Sequence, residues 1–353
     1  MQKRRFVNLL LIMVFICVFV NPLYSQETIK VGEVTAQPGE KVSGFITVPA
    51  GSDAPEIKLP VSVINGTRPG PVLALTAGVH GYEYPPVLAM QRVREKLDPA
   101  EISGTVIIVH IVNLPSFLKR TIYYNPFDWK NQNRVFPGKI DGTSTERIAF
   151  MVTQEVIDQC DYLIDNHCGD GNEDLTPYLY CTITGDEVLD KKIRDLAVNY
   201  GLKMIINDRD SPKDVNASVM CDNAAITRGK PALTIESGRM GGTGEEDILR
   251  IIRGTYNTLK HLKMIKGEPE LLFDPIWVEK VTYVRSEFEG LFYPIVKGGQ
   301  HVEEGEMLGY LTDFFGNIIQ KAIAPHDGIV LYVISTPPMS TGEPMAKIGS
   351  FIR

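Results

Sequence analysis

The chain has 353 residues, with 36 Lys and Arg against 43 Asp and Glu, and a formal net charge of −7 at pH 7. That acidic balance argues against broad nucleic-acid binding, which needs basic surface. The length accommodates one large domain plus a small one.

In chain order, the first element is an export signal. Lys3, Arg4 and Arg5 form a basic start, Phe6 to Val20 is apolar but for Asn8, and Ser25 offers a small residue before Gln26. This order predicts a secretory signal peptide over residues 1–25, and hence a periplasmic or extracellular protein. The apolar run of 15 residues is short of the roughly 20 that a spanning helix needs; an uncleaved N-terminal anchor is the competing reading. Removing residues 1–25, with their three basic side chains, leaves 328 residues and a net charge of −10. No later apolar run reaches membrane length, so no stable span is expected after cleavage. The remaining cysteines, Cys160, Cys168, Cys181 and Cys221, form no CxxC pair, which leaves a Cys-type metal site or a dithiol redox motif unsupported. An oxidising compartment would permit a disulfide among them, and free buried thiols are equally consistent.

Residues 28–70 read as short strands and turns. Strands are then expected at 72–77, 105–112, 162–166, 203–206 and 231–235, and helices at 85–97, 144–158, 186–200 and 245–262. Such alternation predicts an α/β domain over residues 26–265 with a mixed, mainly parallel sheet. Residues 266–275 (KGEPELLFDP) read as a linker, and 276–353, with short β runs between glycine turns, as a small all-β domain.

Four polar clusters follow the predicted strands: His80-Gly81-Tyr82-Glu83, Asn131-Gln132-Asn133-Arg134, Asp165-Asn166-His167 and Glu236-Ser237-Gly238. In open α/β sheets ligands bind beyond the carboxyl ends of the strands, so their shared placement suggests one site. His80, Glu83 and His167 make a coherent three-ligand set for one catalytic zinc ion, which leaves a position for water. Glu236 is then free to take a proton from that water and pass it to a leaving nitrogen. Asp165, two residues before His167 on the same strand face, can orient a ligand imidazole. Arg134 offers a planar fork for a carboxylate, with Asn133 beside it. Each residue alone has a plainer reading: HxxE recurs by chance, a strand-end histidine is commonly a satisfied polar residue, an arginine a surface ion pair, and Glu236 a turn cap.

At these residues the chain resembles the succinylglutamate desuccinylase/aspartoacylase family of zinc-carboxypeptidase-like hydrolases. Gly78-Val79-His80-Gly81-Tyr82-Glu83 is similar to its GxHGxE motif and Asn131 to Gly138 to its NLNRxFPG motif. Asp165-Asn166-His167 is similar to its DxH, and Thr234 to Gly238 to its TxExG. The resemblance implies a carboxypeptidase-like α/β/α sandwich, zinc on His80, Glu83 and His167, Glu236 as general acid/base, and Asn133 and Arg134 as carboxylate binders. Family members also carry an arginine that polarises the scissile carbonyl; the aligned position is Ile122, with Arg120 nearby as a substitute. Trp129 stands where relatives have glycine, and Cys168 where they often have a small hydroxyl residue. The C-terminal segment resembles a lipoyl-type barrel-sandwich, but its turn Thr312-Asp313-Phe314-Phe315-Gly316 lacks a modifiable lysine, so partial closure of the site is expected rather than a swinging arm.

The expected activity is hydrolysis of an amide in an N-acyl amino acid or a similar small carboxylate-bearing substrate. The alternatives are an exported metallocarboxypeptidase acting on peptides and a zinc-bound recognition module without turnover. An oligomer is compatible with the sequence.

Overall fold

The structure, a computed structural model, describes residues 26–210 and 212–351. The expected signal peptide, residues 1–25, lies outside the described residues. Among them, no helix is long and apolar enough to cross a membrane.

The apolar run at 72–77 lies in the strand Arg68–Ala77, whose residues from Leu73 onward are buried. It pairs in parallel with Ser103–Val109 on one side and with Tyr162–His167 on the other. Tyr162–His167 pairs in parallel with Ala232–Glu236. Strands covered on both faces carry near-continuous apolar sequence, which is why these were legible. Beyond Ser103–Val109, Ile57–Asn65 and Lys41–Val48 extend the sheet antiparallel. On the far side, Tyr178–Thr182 runs antiparallel to Ala232–Glu236, and Met204–Asp208 runs parallel to Tyr178–Thr182. The sheet is therefore mixed, with a parallel centre.

Helices Tyr84–Lys96 and Glu187–Tyr200 both pack against Glu245–His261. Pro85 and Pro86 begin the first, where a missing N–H costs little. Asp186 caps the second, accepting from the N–H groups of Val188 and Leu189 at 2.9 and 3.2 Å. A separate helical group contains Ser144–Val152, which passes into a π-helical turn over Thr153–Ile157, and Cys221–Ile226. The expected helix to Asp158 thus changes pitch halfway. Cys221–Ile226 and Leu114–Lys119 were not expected; at six residues each, they carry less than two turns of periodic pattern.

Residues 266–275 form no helix or strand. The expected C-terminal strands are present, but they are not a separate sheet. Ile276–Arg285 pairs in parallel with Met204–Asp208, and Pro344–Phe351, Gly328–Ile334 and His301–Val302 continue outward, antiparallel. The result is one 13-stranded sheet. The remaining strands, Ile318–Ile323, Met307–Thr312, Gly290–Pro294 and Pro338–Met339, form a second, 4-stranded sheet. Between the two sheets lies a core of Phe292, Leu308, Leu311, Val330 and Ile348, which also takes in Leu175, Tyr178, Met204 and Ile206 from the α/β part. The four described cysteines are all free and buried.

Candidate active site

The carboxyl ends of the parallel strands bring the polar clusters together. Register sets Glu236 opposite His167 on one neighbouring strand and opposite Tyr178 on the other. Cross-strand partners share a face, so His167, Glu236 and Tyr178 form a row along one edge of the site.

His80 and Glu83 sit in the loop between Arg68–Ala77 and the helix starting at Tyr84. A Cβ on Gly81 would lie 2.3 Å from the carbonyl oxygen of Thr121 and 2.6 Å from that of Ser116. Only glycine lets this loop press against the next segment and turn both side chains inward. His80 Nδ1 lies 2.7 Å from Glu83 Oε1, and His167 Nδ1 lies 3.1 Å from the same oxygen. Glu83 Oε2 is 3.0 Å from His167 Nδ1 yet makes no hydrogen bond. All three side chains are buried, and their ligand-type atoms lie within 4.8 Å of one another.

The outer nitrogen of each ring is held. His80 Nε2 lies 3.1 Å from Asn131 Oδ1, and His167 Nε2 lies 2.9 Å from Asp165 Oδ2. Thr76 Oγ1 in turn donates to Asp165 Oδ1 at 2.6 Å. The arrangement fits a catalytic metal: two imidazole nitrogens and a carboxylate converge, while outer-shell acceptors fix both rings. Burial opposes charge on His167, but Glu83 and Asp165 outweigh it and hold its pKa well above the ordinary value. Burial likewise opposes charge on Glu83, yet the two histidines bring its pKa down to about 2.

Glu236 differs. Burial, opposed by His167 and reinforced by Glu83 and Glu173, pushes its carboxyl up to about 8. Its Oε2 is buried without a hydrogen-bond partner. Asn133 is fixed by its backbone N–H donating to Asn131 Oδ1 at 2.8 Å and its Oδ1 accepting from the Cys221 N–H at 2.9 Å. Arg134 is exposed, its Nη1 donating to the carbonyl of Asn133 at 2.6 Å, and among the described residues it forms no ion pair. Its remaining donors are free for a ligand.

A cavity of about 510 Å³ joins these residues. His80, Glu83, Asn133, Arg134, His167 and Glu236 all line it; Asp165 lies behind His167. Arg120 does not line it: it closes the helix Leu114–Lys119 in a left-handed conformation, φ 55°, with its side chain in solvent. Ile122 does not line it either. Trp129, which stands where relatives have glycine, is 69% exposed and outside the lining. Cys168 lines the wall, but burial pushes its thiol pKa well above the usual value, so it is not a ready nucleophile.

Sequence reasoning missed the opposite wall. Tyr178, Tyr180, Tyr283, Tyr332, Arg285 and Lys347 line it, and the last four belong to the C-terminal strands. The alternation in Tyr178–Thr182, with Leu179 and Cys181 in the α/β core and the tyrosines on the other face, was the available signal. Tyr123 was missed too; its hydroxyl donates to Glu173 Oε1 at 2.8 Å beside the edge of the His80 ring.

Comparison with known proteins agrees with this geometry. The sequence profile of the succinylglutamate desuccinylase/aspartoacylase catalytic domain matches residues 69–262. The chain is 28% identical over 324 residues to the N-alpha-acetyl-L-2,4-diaminobutyric acid deacetylase of Halomonas elongata, covering 88% of this chain and 91% of that protein. The crystal structure of a succinylglutamate desuccinylase/aspartoacylase from Rhodobacter sphaeroides superposes with a TM-score of 0.79 at 24% identity, covering 89% of this chain and 96% of the other. The product-bound ectoine utilization protein EutE from Ruegeria pomeroyi gives 0.78 at 25% identity, covering 88% and 94%. The profile spans more than half of the chain and includes every motif residue of the site, and the chain belongs to the succinylglutamate desuccinylase/aspartoacylase family.

Proposed function

We propose that this protein is a zinc-dependent hydrolase that cleaves the amide bond of an N-acyl amino acid or a similar small carboxylate-bearing substrate. The observation that carries the reading is the convergence of His80, Glu83 and His167 at the floor of a cavity whose wall holds the unpartnered carboxyl of Glu236. The curated relative, a deacetylase of an N-acetylated amino acid, supports the same class. The three-layer, carboxypeptidase-like sandwich implied by the resemblance accords with the two helical groups and the mixed sheet.

Zinc held by His80, Glu83 and His167 would polarise the scissile carbonyl and lower the pKa of a water. The protein's own groups supply the rest. Asp165, steadied by Thr76, fixes His167 so that Nδ1 faces inward. The surroundings of Glu236 raise its proton affinity, which suits a group that takes a proton from the attacking water and returns it to the leaving nitrogen. Arg134 grips the substrate carboxylate through its free donors, and Asn133, locked by Cys221, presents its amide beside it. The C-terminal strands close the far side of the cavity, which favours small acylated amino acids over peptides. The basic, apolar and small-residue order of residues 1–25 supports export.

The test is turnover of N-acetyl and N-succinyl amino acids against C-terminal dipeptides by zinc-loaded protein, and again after chelation. The expected result is chelator-sensitive release of free amino acid from the N-acyl series. Cleavage of peptides alone, or rates indifferent to chelation, would overturn the reading.

A further inference from the structure

The edge of the sheet away from the candidate site carries a basic surface with no partner. The site stands beyond the carboxyl end of Arg68–Ala77; the amino ends of that strand and of its parallel neighbour Ser103–Val109 lie at the opposite edge. Two adjoining grooves of about 720 and 320 Å³ open there, and Arg68, Ile265 and Lys266 line both. Lys260 and Lys263 add to the rim of the larger, and Lys96 to that of the smaller. All of these cations but the half-buried Lys260 are exposed, and among the described residues none of the five forms an ion pair. Asp98, Glu101 and Glu268 are the acidic side chains of the lining, and Asp98 is engaged in accepting from the Ala100 N–H at 2.9 Å. Lys260 suits the C-terminal end of helix Glu245–His261, but Lys263 and Lys266 lie past that end.

Two further observations say what this surface meets. The wall of the larger groove runs on from Pro269 to Leu271, Leu272 and Phe273, which are 46, 47 and 52% exposed. The Glu270 backbone is pinned to the Asn257 side chain at 2.7 and 2.9 Å, so three consecutive apolar side chains are held in solvent beside the cations. The chain also enters at this edge. Gln26 Nε2 donates to Asn65 Oδ1 at 2.7 Å and to Thr105 Oγ1 at 3.0 Å. Thr105 lies two residues beyond Ser103, whose hydroxyl accepts from Arg68 Nε at 3.0 Å. The apolar run Phe6 to Val20 ends six residues before Gln26, a reach of about 20 Å at full extension. An apolar segment that enters a bilayer, as signal or as anchor, therefore leaves this edge beside the lipid.

We propose that this edge is a membrane-docking surface, and that its partner is the headgroup layer of a bilayer containing anionic phospholipids. Arg68, Lys96, Lys260, Lys263 and Lys266 face the lipid phosphates, and Leu271, Leu272 and Phe273 supply apolar contact at the interface. The rest of the molecule opposes any other orientation, because the chain from residue 26 onward carries a net charge of −10. The catalytic site stands at the far edge of the sheet, clear of the lipid.

Flotation of the chain from Gln26 onward, which holds the whole described fold, tests the surface without the apolar segment. Vesicles of phosphatidylglycerol with phosphatidylethanolamine are compared with vesicles of phosphatidylcholine alone. The protein should float with the anionic vesicles, less so as salt is added, and stay behind with the neutral ones. Combining Lys260→Gln, Lys263→Gln and Lys266→Gln should weaken partitioning roughly 10- to 100-fold, at a few-fold per cation near the surface. The same charge change made with Lys280→Gln, Lys297→Gln and Lys321→Gln, exposed in the C-terminal part, should leave it almost unchanged. Equal loss in the two triple variants overturns the proposal, because net charge alone would then govern binding. So does equal flotation with phosphatidylcholine, or no flotation at all. Displacement by inorganic phosphate at constant ionic strength also overturns it, since the grooves would then hold a small anion instead. If the first triple variant does not fold, Lys266→Glu takes its place: a several-fold loss is expected, and unchanged partitioning overturns the proposal.

Discussion

At the residue scale the proposed mechanism divides labour between groups that would carry protons, hold substrate and fix rings. Glu236→Gln keeps shape but cannot accept a proton, so kcat should fall by about 10²–10⁴, the usual contribution of a general base. Metal content should stay level, because Glu236 is outside the three-residue ligand set; kinetics with metal analysis checks both. Arg134→Ala should chiefly raise KM, since the fork serves ground and transition states alike, and Arg134→Lys should restore part of the loss. Asp165→Asn leaves the Thr76 and His167 neighbours in place but weakens the acceptor on His167 Nε2. Zinc affinity, read by competition with a chromogenic chelator, should drop by about 10- to 100-fold, and unchanged affinity would remove Asp165 from the positioning role. His80, Glu83, His167 and Glu236 were legible in the sequence because strand ends force them to one edge. Arg120 lies at a helix C-cap, whose side-chain direction no strand register dictates, and stays outside the cavity lining.

At the element scale, helix Glu245–His261 poses a choice of sign. Gly254 sits at its middle, where glycine costs about 0.5–1 kcal/mol relative to alanine. A Cβ there would lie 2.2 Å from ring atoms of Tyr200, a fully buried residue at the end of Glu187–Tyr200. The ring would have to shift within the core, and overpacking a filled core costs about 1–3 kcal/mol. Gly254→Ala should therefore lower the urea midpoint despite its better helix propensity; a raised midpoint would show that the two helices can separate at little cost. The same contrast between local and tertiary information explains what the sequence concealed. The apolar strands and capped helices announced themselves through period and caps. Tyr178–Thr182 did not, because it interrupts the strand–helix alternation and its cavity face carries two tyrosines rather than an apolar or charged pattern. The π-helical turn at Thr153–Ile157 retains helical composition, so nothing local marks the change of pitch.

At the scale of the whole molecule, the C-terminal strands are as much a part of the catalytic unit as the helices are. The sheet crosses from Met204–Asp208 into Ile276–Arg285 without interruption. The Arg194 guanidinium, on the helix Glu187–Tyr200, stacks 3.9 Å over the Trp277 ring on the first C-terminal strand. Leu175, Tyr178, Met204 and Ile206 are buried in the core that the C-terminal strands complete. A chain ending at residue 275 would keep every metal-type ligand, yet it would uncover those four apolar side chains and leave Met204–Asp208 as an unpaired edge, a template for association. Such a truncation should accumulate as aggregate, or melt well below the full chain, and lose turnover together with the Tyr283, Tyr332 and Lys347 wall. Soluble yield, size-exclusion elution and thermal unfolding by circular dichroism measure this directly. A monomeric 26–275 fragment with native-like melting would show that the α/β part folds alone and that the C-terminal strands only cover it. The linker-like sequence at 266–275 invites that second expectation; the shared sheet and shared core favour the first, because removing the strands takes away hydrogen-bond partners and apolar cover at once.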